Sequence, residues 1–132
     1  MARVILVDDD PAVRSALRPA LESLGVQVIG EAGDGLEAVE AVMTLKPDVV
    51  LMDLRMPRMG GIEATREIKA AMPYVQVVFV TVYDEPHPTR SAQDVGAYAY
   101  LLKDSSPELV REVVVRAAQV KNELEVRHRR EA

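Results

Sequence analysis

Apolar residues fall along this chain in short runs, two of them interrupted by a single glutamine, separated by longer stretches where they recur every three or four positions. The runs are Val4 to Val7, Val26 to Ile29, Val49 to Met52, Val75 to Val80 and Ala97 to Leu102. Their shortness and β-branched content predict strands, and their continuous apolar character predicts burial on both faces, as in a parallel sheet. The intervening stretches predict helices. Val13, Leu17, Leu21 and Leu24 follow Pro11 on one face, and Leu36, Val39 and Val42 or Met43 mark a second helix. Ile62, Thr65, Ile68 and Met72 mark a third, and Thr89 to Val95 a short fourth. Ser106-Pro107-Glu108 is a capping signal for a last helix expected to reach about residue 127. Gly25, Lys46-Pro47, Pro73 and Gly96 supply the stops. Pro19 lies inside the first helix and is expected to kink it, and Gly30, Gly33 and Gly35 are expected to form a turn.

Five alternations of strand and helix predict an α/β domain with a parallel sheet covered on both faces and right-handed crossovers. The expected architecture is a flavodoxin-like (βα)5 doubly wound sheet in strand order 2-1-3-4-5. One domain is expected over residues 1–120, with 121–132 as a helical extension or linker.

Composition narrows the function classes. The chain has 132 residues, 48% hydrophobic and 28% charged, as in an ordinary globular domain. It has no cysteine, which removes disulfides, thiolate metal sites and a thiol nucleophile. No run approaches the roughly 20 apolar residues of a membrane span. Met1-Ala2-Arg3 leads straight into a strand, so no leader peptide, no membrane contact and a cytoplasmic setting are expected. A net charge of −5 argues against nucleic-acid binding by the domain as a whole.

The chemistry collects at the strand ends. Asp8 and Asp9 follow the first strand, Asp53 the third, Thr81 ends the fourth and Lys103 follows the fifth. Open α/β sheets place ligands at the carboxyl ends of their strands, and in this order the first and third strands are neighbours at the switch point. Three carboxylates would then share one cleft, which is unfavourable unless something positive lies among them. Mg²⁺ suits such an oxygen set, since it accepts a few carboxylates while keeping waters and a phosphate oxygen. Thr81 offers a hydroxyl and Lys103 a mobile cation for phosphoryl oxygens. Those are the parts of a phosphoryl-transfer site, in which one carboxylate attacks phosphorus.

Asp8-Asp9, Asp53-Leu54-Arg55-Met56-Pro57, Thr81 and Tyr100-Leu101-Leu102-Lys103 resemble the receiver domain of two-component response regulators, in order and spacing over residues 3 to about 120. The resemblance implies that Asp53 accepts a phosphoryl group from the phosphohistidine of a sensor histidine kinase. It implies that Asp9, Asp53 and the backbone carbonyl of Arg55 hold Mg²⁺, with Asp8 acting largely through water. Thr81 and Tyr100 would be the switch residues and Lys103 the phosphate's counter-ion. The face of the fourth helix, fifth strand and fifth helix would carry the output, including a homodimer. Such a domain catalyses its own phosphorylation and dephosphorylation as a signalling switch. The wording around Asp53 and Gly61-Ile62-Glu63-Ala64-Thr65 is similar to regulators with a helix-turn-helix output, which implies transcription control. DNA would be reached only through an output domain outside these residues.

Several residues have simpler readings. Asp10, Asp34 and Asp48 are read as helix-start or turn residues. Gly30 to Gly35 lacks dinucleotide-loop spacing, and His87 and His128 suggest no metal or catalytic role. Val110, Val113, Ala117, Val120 and Leu124 form a seam on which the last helix could pair with another, and Arg127-His128-Arg129-Arg130 is read as a solvated basic end. Two other functions stay open. One is a haloacid-dehalogenase-type phosphohydrolase with Asp8 as nucleophile and Asp10 as acid/base, against which Ala12 stands where that family has Thr or Val. The other is an unphosphorylated binding module. The chain departs from the receiver pattern at Val82, where a small residue is usual and the bulkier side chain narrows the pocket. Arg55 and Tyr83 flank the site at positions that tune water's access to the phosphoryl group. A cation and an aromatic there predict a long-lived acyl phosphate, whose half-life should shorten in an Arg55→Ala, Tyr83→Ala double variant.

Overall fold

The apolar runs become five strands in a computed structural model that describes residues 1–82 and 88–131. They are β1 (Arg3–Val7), β2 (Gln27–Ala32), β3 (Val49–Met52), β4 (Gln76–Thr81) and β5 (Ala99–Leu102). All pairings are parallel, in the order β2-β1-β3-β4-β5. The helices between and after them are α1 (Pro11–Ser23), α2 (Gly35–Leu45), α3 (Gly61–Ala71), α4 (Pro88–Asp94) and α5 (Pro107–Glu131).

Side chains alternate across a strand, so each apolar run serves two cores. Ile5, Val7, Val50, Met52, Val77 and Phe79 face the layer that includes Ala38 and Val42 of α2 and Ala64 and Ile68 of α3. Val4, Leu6, Val49, Leu51 and Val78 face Leu21 of α1 and Val110, Val114 and Ala117 of α5. Both layers reach full exclusion of water, with Ile5, Val50, Val77 and Phe79 among the completely buried residues. The central strand β3 is buried along its whole length, as its apolar run requires.

Some boundaries differ from the sequence expectation. Strand β2 runs through Gly30 to Ala32, so Gly30 belongs to the sheet and not to a turn. Its register against β1 shifts between Val4 and Ile5, and a Cβ on Gly30 would meet Leu45 Cδ1 at 2.6 Å. Glycine there lets α2 close onto the sheet. Gly35 is the first residue of α2, leaving Gly33 in the turn. Helix α1 continues through Pro19 to Ser23. Helix α5 extends to Glu131, and Val110 and Ala117 of its apolar seam are buried against this domain's own sheet.

Thr65 in α3 is fully buried, and its Oγ1 has no hydrogen-bond partner among the described residues. A buried hydroxyl without a partner costs about 1–3 kcal/mol in lost hydration. Thr65→Val is therefore expected to raise the unfolding free energy by up to that amount, read as a higher urea midpoint with an unchanged transition slope. A lower midpoint would mean that the hydroxyl is satisfied.

Candidate functional site

Strand register decides which polar side chains meet. Leu6 lies opposite Leu51 and Val7 opposite Met52, so Asp8 and Asp53 leave neighbouring strands at the same level. The Asp53 N–H donates to the Val7 carbonyl at 3.0 Å, and the Asp8 N–H to the Ala32 carbonyl at 3.1 Å. Thr81 pairs with Leu102 across β4 and β5, and the Lys103 N–H donates to the Thr81 carbonyl at 2.8 Å. From there Lys103 reaches back across the sheet edge. Its Nζ lies 2.9 Å from Asp8 Oδ2 and 3.2 Å from Asp53 Oδ2.

Asp8, Asp9 and Asp53 each bring a carboxylate oxygen within 4.8 Å of the others. Asp8 and Asp53 are buried and Asp9 is exposed. The remaining oxygens are held by backbone: Asp8 Oδ1 accepts from the Asp10 N–H at 2.9 Å, and Asp53 Oδ1 from the Leu54 N–H at 2.8 Å. Three hard oxygen donors this close, facing one ammonium, fit a hard divalent cation.

Burial pushes the Asp53 carboxyl above the ordinary carboxylate range, and the charge of Asp8 pushes it further. The charge and hydrogen bond of Lys103, then the Leu54 N–H, pull the other way without cancelling them. For Lys103, burial opposes the charged form most strongly, but its bonds and charges with Asp8 and Asp53 together raise it above the usual lysine value. The cleft thus strains one carboxylate and secures one ammonium.

The other expected residues are placed as follows. Thr81 is buried at the end of β4, and Val82 beyond it is 45% exposed. Tyr100 is half-buried, opposite Phe79 in the β4–β5 register and packed on the core beneath α2 and α3. Arg55 is exposed in the loop after β3. Tyr83 and His87 lie outside the described residues. Asp10 caps α1 by accepting from the Ala12 N–H at 2.9 Å. Asp48 is more than a turn residue: it accepts from the Arg3 N–H at 3.0 Å and pairs with Lys121 of α5 at 3.2 Å. His128 lies against Tyr74, ring centroids 5.5 Å apart and tilted by 49°, next to the amino end of β4.

Three arginines beside the site escaped the sequence reading. Arg14 of α1 donates through Nη1 to the Asp8 carbonyl and through Nε to Glu31 at 3.0 Å. Arg18, one turn on, donates to the same Glu31 at 2.7 Å, a pairing that the four-residue spacing on α1 hinted at. Arg58 donates to Asp34, which also caps α2 by accepting from the Glu37 N–H. The Asp34-to-Glu37 spacing is a visible capping signal, but nothing local marks Arg58 as its partner.

A doubly wound parallel sheet with clustered carboxylates and an opposed lysine at its carboxyl edge defines a flavodoxin-like α/β domain built for an ionic ligand at the switch point. Comparison with known proteins makes the class specific. The response regulator receiver domain matches residues 4–115, and the chain belongs to that family. It is 47% identical over 105 residues to the response regulator GacA of Pseudomonas viridiflava, covering 78% of this chain and 49% of that protein. It is 44% identical over 112 residues to the response regulator UvrY of Escherichia coli, covering 83% and 51%. Its fold matches a chain of the CheX–CheY–BeF3–Mg²⁺ complex from Borrelia burgdorferi with a TM-score of 0.80 at 25% identity, covering 87% of each chain. The chain spans about half the length of the curated relatives it matches. No helix among the described residues is long and apolar enough to cross a membrane.

The raised Asp53 carboxyl has a consequence for stability. A carboxyl that binds its proton more tightly in the folded state favours folding below its ordinary value of 3.8 and loses that contribution as pH rises through the folded value. Charged Asp53 therefore destabilises the metal-free protein at neutral pH. In EDTA, Asp53→Asn is expected to melt higher than wild type at pH 7, with the gap closing as pH falls through the raised folded value toward 3.8. A wild type that melts higher at pH 7 would mean that Lys103 outweighs burial.

Proposed function

We propose that this receiver domain accepts a phosphoryl group on Asp53 from the phosphohistidine of a sensor histidine kinase. The observation that carries the proposal is the pairing of Asp8 and Asp53 on adjacent strands, bridged by the Lys103 ammonium. An Asp53 oxygen attacks phosphorus as the P–N bond to the donor imidazole breaks, and the imidazole nitrogen takes up a proton. Asp8, Asp9, Asp53 and the Arg55 carbonyl would hold Mg²⁺, which neutralises the charge crowded onto carboxylate and phosphoryl oxygens. The Mg²⁺ in the matched Borrelia complex supports that choice of ion. Lys103 moves from bridging two carboxylates to pairing with the new phosphoryl oxygens. The Thr81 hydroxyl turns toward the same group, and Tyr100 follows inward.

The readout is a change in packing and order on the face of α4, β5 and α5, which governs a homodimer or an output region and through it transcription. On this reading residues 1–120 are the receiver and 121–132 a C-terminal extension or linker, in which α5 runs to Glu131. Contact with DNA would come only through an output region outside these residues. The response regulators GacA and UvrY, which match this chain over only about half of their own length, support that arrangement. The phosphohydrolase reading loses ground because Asp10, its required acid/base, is engaged as the cap of α1.

Intact mass after treatment with acetyl phosphate and Mg²⁺ tests the reading. Wild type is expected to gain one phosphoryl group of about 80 Da, and Asp53→Asn none. EDTA and Lys103→Ala should each suppress the gain. A folded wild type that takes up no phosphoryl group would leave the binding-module reading in its place.

A further inference from the structure

The connection from β2 to α2 touches both loops that carry the acidic donors. At its start the Ala32 carbonyl accepts the Asp8 N–H, and Glu31 accepts from Arg14, whose other arm holds the Asp8 carbonyl. At its end the Gly35 N–H donates to the Met59 carbonyl at 2.9 Å, and Asp34 Oδ2 accepts Nε and Nη2 of Arg58 at 2.8 and 2.5 Å. Asp34 is only 5% exposed, and its other oxygen is already committed to the first turn of α2. It is a fixed post for the arginine to grip.

The grip holds an unfavourable backbone. Arg58 has φ 65°, and the Pro57 carbonyl accepts the Met59 N–H at 2.7 Å, which closes a three-residue γ-turn around it. A bulky residue in the left-handed region persists only where its surroundings hold it there. The same loop is closed at its base by the Gly61 N–H on the Leu54 carbonyl at 2.7 Å. A Cβ on Gly61 would run into the Asp53 carbonyl, so the loop's tip, base and phosphoacceptor are packed as one piece.

We infer that Arg58, acting through Asp34, is a positioning residue for the metal donors: it pins the loop carrying Asp53 and Arg55 to the segment that also pins Asp8. The inference rests on the metal-site reading above. Arg14 and Glu31 form the other half of this bracket, so the β2–α2 connection sets the separation between donors from β1 and donors from β3. Charge alone makes the opposite prediction. A guanidinium near an acidic cleft repels a divalent cation, so removing it would tighten Mg²⁺ binding if position did not matter.

Calorimetric titration of Mg²⁺ into the full chain tests this, with thermal midpoints measured alongside. Arg58→Ala and Asp34→Asn are each expected to weaken Mg²⁺ about tenfold, the scale seen when groups that orient metal ligands are removed. The double variant should be no weaker than either single one, because the two act as a unit. Arg58→Lys should recover only part of the affinity, as a point charge does not reproduce a two-pronged contact. Unchanged or tighter Mg²⁺ binding by a folded Arg58→Ala overturns the inference, as does wild-type affinity in Arg58→Gly, which would assign the effect to backbone strain. A wild type that binds no Mg²⁺ overturns the metal-site reading itself, whereas equal binding by wild type and variants overturns the bracket alone.

Discussion

Two carboxylates at the heads of adjacent parallel strands, with one ammonium between them, set the terms for everything around them. Their closeness follows from register: once Leu6 faces Leu51, Asp8 and Asp53 emerge side by side. Neither can retreat, because both are buried and both strands end there. Lys103 offsets only part of the combined effect of burial and the Asp8 charge, so the Asp53 carboxyl stays raised. The site is therefore a local source of instability that the rest of the molecule must hold in place. The two apolar layers do so, since separating the acids would mean breaking the β1–β3 register that both cores depend on.

The ends of the sheet divide the labour. The carboxyl edge carries strained and exchangeable contacts, including the Lys103 bridge and the Arg58 turn. The amino edge carries ties between secondary structures. Arg3 donates to the Lys46 and Leu45 carbonyls at the end of α2 at 2.7 and 3.0 Å. Asp48 joins the Arg3 N–H to Lys121 of α5, and Tyr74 meets His128. A rigid floor beneath a crowded rim lets small displacements of charge move loops without loosening strands.

Whatever depended on short-range pattern was legible in the sequence. Short apolar runs marked β1, β3 and β4, and the residue following each run marked the cleft. Parallel topology then brought Asp8, Asp53 and Lys103 together, although Lys103 lies 50 positions beyond Asp53. What escaped were features set by contacts between loops. Gly30 looked like a turn residue, but the approach of Leu45 makes it a strand residue. Asp34 looked like a turn residue, but it caps α2, and its second partner comes from a loop 24 positions away. The α5 seam looked ready for another helix because a helical repeat does not say which surface it meets, and part of it meets this sheet.

Helix α5 links these observations. It begins four residues after Lys103, at the cleft, and its ion pair with Asp48 lies at the opposite edge of the sheet. Its 25 residues span about 37 Å at about 1.5 Å per residue. Val110, Val114 and Ala117 bind its first half to the sheet, and Lys121 anchors the next turn. A movement of Lys103 between carboxylates and a phosphoryl group would act at the near end of one continuous element held at both ends. Such an element passes on a change in position as a whole and does not absorb it by bending. Under the proposed phosphorylation of Asp53, α5 is thus the longest continuous element that starts beside Lys103, longer than the seven-residue α4.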